Sequence, residues 1–144
     1  MAIVVDASLL VALVSGDPRA DAVSARLSGW LASGEALHAP ALTPFEVASG
    51  LTRLVVAGAM PDDRVEPAWR AVQELPVTYH PLRDGSSVVS LARRLERQSA
   101  YDAAYLALAH ELGGSCWTLD GRLVRNATRL GLPVHIAAST ASKE

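Results

Sequence analysis

Cysteine is nearly absent from this 144-residue chain, since Cys116 is its only one. A disulfide within the chain and a cysteine-rich zinc site are therefore both excluded, and a reducing, cytoplasmic location is the expectation. No apolar run is long enough to cross a bilayer, so we expect no membrane partner. What the chain has instead is 50% hydrophobic and 19% charged residues, a balance typical of a compact globular domain.

A strong charge of either sign is also lacking. The net charge of −2 lacks the excess of positive charge that is typical of a nonspecific nucleic-acid binder. It does not argue against an enzyme that concentrates acids at one site. Of the 13 basic residues, only Lys143 is a lysine; this arginine bias reflects either phosphate binding or genome composition. The apolar segment 1–14 lacks a basic leading region and contains Asp6, which favours a buried strand and a helix over a signal peptide.

Short β-branched runs alternate with segments of helical periodicity along the whole chain. We predict strands at 2–5, 36–39, 77–80, 115–119 and 133–136, and helices at 7–14, 19–33, 44–56, 61–74, 84–97, 100–112 and 121–130. This alternation predicts an α/β fold, a three-layer α/β/α architecture around a central, mostly parallel sheet. One domain is expected over 1–137, and the small and polar residues 138–144 are expected to be a disordered tail.

Four acidic residues fall where such a sheet places its ligand sites. Asp6 and Asp120 directly follow predicted strands, while Glu46 and Asp102 lie in the first turns of predicted helices. Because the carboxyl ends of parallel strands and the amino ends of the following helices share one edge, the four carboxylates should converge. Two carboxylates about 4 Å apart repel by roughly 4 kcal/mol at an effective dielectric near 20. The cluster therefore predicts a counter-ion, and all-oxygen ligands favour Mg²⁺, or Mn²⁺, which can support phosphodiester hydrolysis.

Each acid also has a purely structural interpretation. Residues 43–46 and 99–102 have the spacing of a capping box, in which Glu46 and Asp102 would bond back to the helix start. Asp6 and Asp120 could each cap the next helix. A binding module without catalysis is therefore one alternative. The histidines are scattered without ligand-like spacing and are interpreted as surface or packing residues; they are His38, His80, His110 and His135.

Four segments of the chain resemble a known family in their order and spacing. They read VVDASLL at 4–10, LTPFEVA at 42–48, YDAAYLALA at 101–109 and TLDGRL at 118–123. Across residues 2–136 they are similar to the PIN domain, and in detail to the VapC-type toxins of bacterial toxin–antitoxin pairs. The resemblance implies a PIN-like fold and a Mg²⁺-dependent endoribonuclease that cleaves RNA and inhibits growth or translation. It also implies neutralisation by a cognate VapB-type antitoxin and a homodimer.

The resemblance further assigns roles to residues. Asp6, Glu46, Asp102 and Asp120 match the family's catalytic acids; Asp6, Asp102 and Asp120 are the expected metal ligands, with Asp120 at a more variable position. Ser8 and Thr118 match small hydroxyl positions, which we interpret as donors that orient the carboxylates.

Two surfaces are predicted to contact partners. Arg122, Arg125 and Arg129 share one helix face after Asp120 and either grip RNA phosphates or form a solvated basic face. The helices at 7–14 and 44–56 are apolar around more than one stripe, which indicates either core packing or a groove for an amphipathic antitoxin helix. The residues concerned are Leu9, Leu10, Leu13, Val14, Leu51, Leu54, Val55 and Val56. A PIN-domain nuclease of RNA processing, without an antitoxin, is the remaining alternative.

Overall fold

The computed structural model of the chain describes residues 1–97 and 99–138. Residues 139–144 of the expected disordered tail lie outside the described residues. The strands are β1 (Ala2–Val5), β2 (Ala36–Pro40), β3 (Val77–His80), β4 (Ser115–Thr118) and β5 (Val134–Ile136). The helices are α1 (Ala7–Val14), α2 (Ala20–Ala32), α3 (Thr43–Val56), α4 (Val65–Gln73), α5 (Gly85–Arg94), α6 (Tyr101–Glu111) and α7 (Gly121–Arg129), and a 3₁₀ turn covers Asp62–Arg64. Within the described ranges, no helix is both long and apolar enough to span a membrane.

The five strands form one sheet in the order β3-β2-β1-β4-β5, and each neighbouring pair is parallel. The chain builds outward from β1 to β3, then returns across the sheet to β4 on the other side of β1. Strand order therefore reverses between β1 and β4. In open parallel sheets this reversal leaves a crevice at the carboxyl ends of the two strands, where ligands bind.

Alternating side chains of the sheet pack into two separate hydrophobic cores. Ile3 and Val5 of β1 pack in a core with α1, α2, α3 and α4, whereas Val4 between them packs with α5, α6 and α7. Successive strand residues point to opposite faces, so helices cover both faces of the sheet. The predicted three-layer α/β/α architecture is confirmed.

Helix α1 packs into the core, which favours the core-packing alternative over a partner groove on this helix. Leu9 and Leu10 are completely buried, and Leu13 and Val14 pack against the same core. The reason is that α1 is surrounded by α2, α3, α4 and β4, so more than one of its faces is covered. Leu13 and Val14 of α1 are only partly buried, as are Leu54 and Val55 of α3. Val56 of α3 is the residue of this set that is largely exposed, at 83%.

Helix α5 ends three residues earlier than the prediction of 84–97. The backbone N–H of Glu96 donates to the Arg93 carbonyl at 3.1 Å, and that of Arg97 donates to the Ala92 carbonyl at 3.0 Å. This is the hydrogen-bond pattern of a Schellman motif. Its left-handed residue is Glu96, at φ 57°, where glycine is usual. Helical periodicity continues through 95–97 in the sequence, but the chain has already left the helix.

Candidate active site

The four predicted acids meet at the crevice between β1 and β4. Asp6 and Asp120 follow these two strands, while α3 and α6 bring Glu46 and Asp102 to the same edge. Burial is the main cause that raises the pKa values of Glu46 and Asp102. The negative charges of Asp6 and Asp102 add to the rise at Glu46, and those of Asp6 and Asp120 add to the rise at Asp102. Four carboxylates that are distant in sequence therefore form one electrostatic cluster.

Asp6 is held by two hydroxyl groups. Its Oδ2 accepts hydrogen bonds from Ser8 at 2.7 Å and from Thr118 at 2.8 Å. These hydroxyls are in turn fixed by the loop after β4, where the backbone N–H of Leu119 donates to Ser8 at 3.1 Å and that of Asp120 donates to Thr118 at 3.0 Å. Both predicted hydroxyl residues thus touch the carboxylate that they were expected to orient. Their contribution to activity stays a prediction.

Burial dominates the electrostatics of Asp6. It raises the pKa of the Asp6 carboxyl, and the hydrogen bonds from Ser8 and Thr118 offset only part of that rise. The two hydroxyls stabilise the ionised form because they donate to it. The ionised form of Asp6 is therefore destabilised by its position, which is more typical of functional sites than of helix caps.

Glu46 does not close a capping box, because α3 begins at Thr43 and the residue before it, Leu42, cannot cap through its side chain. Thr43 is fully buried, and its hydroxyl donates a hydrogen bond to the Tyr105 hydroxyl at 2.9 Å. The Tyr105 hydroxyl in turn donates to Glu46 Oε1 at 2.6 Å. Burial raises the pKa of Glu46, and the Tyr105 hydrogen bond opposes that rise. Tyr105 was missed in the sequence; its position three residues after Asp102, on the same helical face, was the available signal.

Asp120 combines both interpretations that its position allowed. Its Oδ1 caps α7 by accepting from the backbone N–H groups of Arg122 at 3.0 Å and Leu123 at 3.1 Å. Its Oδ2 lies 3.5 Å from Nη2 of Arg97. One oxygen is thus committed to the helix, and the other faces the acid cluster.

Arg97 is the second residue that sequence reasoning missed. Its guanidinium bridges two of the acids, with Nε 3.4 Å from Asp102 Oδ2 in addition to the contact with Asp120. Burial raises the pKa of Asp102, the Arg97 charge opposes that rise, and Asp6 and Asp120 add to it. The sequence places Arg97 at the end of the predicted helix 84–97, whereas in the structure it lies in the connection between α5 and α6, so its contact with the acids could not be read from the helical period.

The basic residues of α7 lie beside this site but on the surface. Arg122, Arg125 and Arg129 are all exposed, and none forms an ion pair with a carboxylate in the described part of the chain. Their proposed contact with RNA stays a prediction.

Two of the histidines that were interpreted as surface or packing residues lie side by side in the sheet. His38 of β2 and His80 of β3 lie on neighbouring strands, with Nδ1 of His38 2.8 Å from Nε2 of His80. Burial lowers the pKa of His38, and the charge of His80 lowers it further. A hydrogen bond between two imidazoles needs a proton on one facing nitrogen and a lone pair on the other, so this contact is incompatible with both rings being doubly protonated.

The acid cluster has the donor chemistry of a hard divalent cation. Carboxylate oxygens are the ligands that Mg²⁺ and Mn²⁺ prefer. Burial raises the pKa values of Glu46 and Asp102, and neighbouring carboxylates add to both rises. Among residues 1–97 and 99–138, however, no three histidine, cysteine or acidic side chains approach closely enough to hold one ion. In this arrangement the guanidinium of Arg97 lies against two of the four acids.

Comparisons with known proteins identify the family of the chain and support its fold. A family model described as PIN domain matches residues 3–128. The chain is 37% identical over 124 residues to Ribonuclease VapC3 of Mycobacterium tuberculosis, covering 85% of each chain. It is 38% identical over 128 residues to Ribonuclease VapC9 of the same organism, covering 84% of this chain and 87% of the relative. Among solved structures, PAE2754 from Pyrobaculum aerophilum superposes with a TM-score of 0.64 at 21% identity, covering 88% of this chain and 79% of that one, which supports the fold.

Proposed function

Because this chain belongs to the PIN domain family, and within it to the proteins named VapC ribonucleases, we propose that it is a metal-dependent endoribonuclease that acts as the toxin of a toxin–antitoxin pair. The observation that carries the proposal is the acid cluster at the switch point of the sheet. Asp6 is half-buried there and accepts from two hydroxyl donors, and Glu46 and Asp102 have raised pKa values.

In the proposed reaction, Asp6, Asp102 and Asp120 would hold Mg²⁺ or Mn²⁺. The bound ion would supply positive charge to the scissile phosphate and lower the pKa of an attacking water. Ser8 and Thr118 both donate to Asp6 Oδ2 and orient the carboxylate, so Oδ1 is the oxygen that would be available to a cation. Glu46 Oε1 is engaged by Tyr105, so Oε2 is the atom available to accept a proton from water. A carboxylate whose pKa is raised is a better base near neutral pH.

The test is Asp6→Asn, with Asp21→Asn at an exposed carboxylate on α2 as the matched control. Asp6→Asn should reduce Mg²⁺-dependent RNA cleavage by more than the roughly 10–100-fold that loss of a supporting partner costs. In EDTA it should melt at a higher temperature than wild type, because one of the repelling charges is gone. Cleavage at the wild-type rate by Asp6→Asn, or cleavage by the wild type in EDTA, would contradict the proposal.

The proposed antitoxin is a partner with an amphipathic helix, docked between α3 and α4. These helices border a shallow cleft of about 390 Å³, lined by Leu51, Val55, Val56, Val65 and Trp69 among others. Its lining is apolar and Val56 projects from it, so an apolar helix face could bury there. The cleft includes only the α3 part of the predicted groove, because Leu9 and Leu10 of α1 are buried in the core.

Co-expression with the upstream open reading frame tests this partner. A tight complex without ribonuclease activity is expected, and Val56→Glu should weaken it, whereas Leu31→Glu on α2 should not. If no complex forms and the chain alone does not slow growth, the RNA-processing alternative gains over the toxin.

The homodimer is proposed on a different surface. The connection after β3 and helices α5 and α6 border a groove of about 840 Å³, and beside it Leu82 and Tyr101 are 70% and 60% exposed. Arg83 and Arg94 lie in the same groove as Asp84 and Glu111. Charges of both signs on one apolar patch suit a self-complementary contact.

A further inference from the structure

The position of Arg97 is set by the way α5 ends. The Schellman motif at Glu96 turns the chain away from the helix axis, and the Arg97 side chain then runs back toward the acid cluster. It is only 21% exposed. The placement depends on a non-glycine residue in the left-handed conformation, which costs conformational free energy. Holding this guanidinium at the site therefore lowers the stability of the fold.

The contacts of Arg97 with the acids are close but not tight. The distances of 3.4 Å to Asp102 and 3.5 Å to Asp120 exceed the about 2.7–2.9 Å of a strong charge-assisted hydrogen bond. The Nε atom is buried and lacks a hydrogen-bond partner among the described residues. The guanidinium therefore neutralises the carboxylates without locking onto them, as an exchangeable counter-ion would.

We propose that Arg97 is a built-in counter-ion that competes with the divalent cation for Asp102 and Asp120 and thereby sets the affinity of the site for metal. This inference rests on the proposed function, because it takes these acids as metal ligands. Without metal, Arg97 offsets part of the repulsion within the cluster. When a divalent ion binds, the guanidinium has to give up its place against Asp102 and Asp120.

The direction of the effect follows from charge alone. If the guanidinium stays in place, it repels the divalent cation. If it must move away first, the free energy of metal binding is reduced by the free energy of the ion pairs that the guanidinium gives up. Both routes weaken metal binding in the wild type. Removal of the charge should therefore tighten metal binding, and we expect about a tenfold change for one unit charge at this range in a partly exposed site.

The experiment is a titration with Mn²⁺, in which electron paramagnetic resonance measures the free ion in the absence of RNA. Arg97→Gln should bind Mn²⁺ about tenfold more tightly than wild type, and Arg97→Lys, which keeps the charge, should stay close to wild type. Arg93→Gln removes an exposed positive charge from α5 and is the matched control; its affinity should stay near the wild-type value. In EDTA, Arg97→Gln should melt below wild type, and saturating Mn²⁺ should remove that difference.

The outcomes separate this inference from the proposed function. If Asp6→Asn loses Mn²⁺ binding while Arg97→Gln binds as wild type or more weakly, Arg97 is no competitor and the inference fails alone. Weaker binding would instead mark Arg97 as a support of the metal ligands. If neither wild type nor Arg97→Gln binds Mn²⁺, the proposed function fails with it. Circular dichroism checks folding, and Arg97→Met, which retains the aliphatic stem, repeats the test.

Discussion

At the scale of single residues, the hydroxyl of Tyr105 connects the core to the acid cluster. It accepts from buried Thr43 and donates to Glu46. Burial and the nearby Asp6 raise the pKa of Tyr105 far above its ordinary value, so this hydroxyl stays protonated and remains a donor at any physiological pH. Glu46 is therefore oriented by α6 rather than by the first turn of its own helix.

Two substitutions distinguish the hydrogen bond that orients Glu46 from the catalytic role of its carboxylate. Tyr105→Phe leaves Thr43 and Glu46 without their shared partner and should cost about 1–3 kcal/mol of stability, together with part of the activity. Glu46→Gln keeps an oxygen that can accept from Tyr105, so it should melt near wild type yet lose cleavage. Urea unfolding and RNA cleavage measure the two effects. An active Glu46→Gln enzyme would limit Glu46 to a structural role.

The His38–His80 pair predicts a dependence of stability on pH. Since the folded-state pKa of His38 lies below its ordinary value of 6.5, the folded protein binds fewer protons there than the unfolded chain. Stability is then lost as the pH falls below about 6.5 toward the lowered folded-state value. His38→Gln should show a smaller loss of melting temperature between about pH 7 and pH 5 than wild type. His110→Gln, at an exposed histidine of α6, is the control; equal slopes in all three proteins would refute the assignment.

At the scale of elements, the end of α5 carries a strained residue. Glu96 occupies the left-handed position of a Schellman motif, φ 57°, where a side chain is unfavourable and glycine is preferred. Glu96→Gly should therefore stabilise the protein by about 1 kcal/mol without moving Arg97. Thermal unfolding measures this change, and Glu96→Ala, which keeps a Cβ atom, should stay near wild type. A lower melting temperature for Glu96→Gly would show that the left-handed conformation is not what limits this helix end.

At the scale of the whole molecule, the sheet order separates the acid cluster from the surfaces proposed for partners. The cluster lies at the carboxyl ends of the strands, the α3–α4 cleft on one layer of helices and the α5–α6 groove on the other. Each layer can thus contact a different protein, which makes the two proposed interfaces separately testable.

The homodimer prediction is tested at the α5–α6 groove. Leu82→Glu places a charge at a 70% exposed position and should shift the protein from dimer to monomer in light scattering at micromolar concentration, with little change in melting temperature. Val56→Glu, on the opposite helical layer, should leave the dimer intact. A wild-type protein that is monomeric under these conditions would contradict the proposed dimer.

Local patterns in the sequence were sufficient for the fold and for the location of the acids. The alternation of strand-like and helix-like segments predicts the three layers. Apolar residues repeat every 2 residues in a strand and every 3.6 in a helix, so each pattern is visible within a few neighbouring residues. The carboxyl ends of parallel strands share an edge by geometry, so Asp6 and Asp120 could be placed together from their positions alone. The cap formed by Asp120 is equally local, since it joins residues two and three positions apart.

Only the tertiary structure decided which side chains touch. Tyr105 and Glu46 are 59 residues apart, and His38 and His80 are 42 apart; contacts at such separations depend on sheet register and helix packing, which no local period encodes. The same holds for Arg97, whose contact with the acids follows from where α5 stops. It also holds for α1, whose Leu9 and Leu10 are buried because three other helices surround this helix. The sequence by itself determined the layers and the shared edge of the acids, because these depend on backbone geometry. The partners of each acid depend on how the packed layers bring distant side chains into contact.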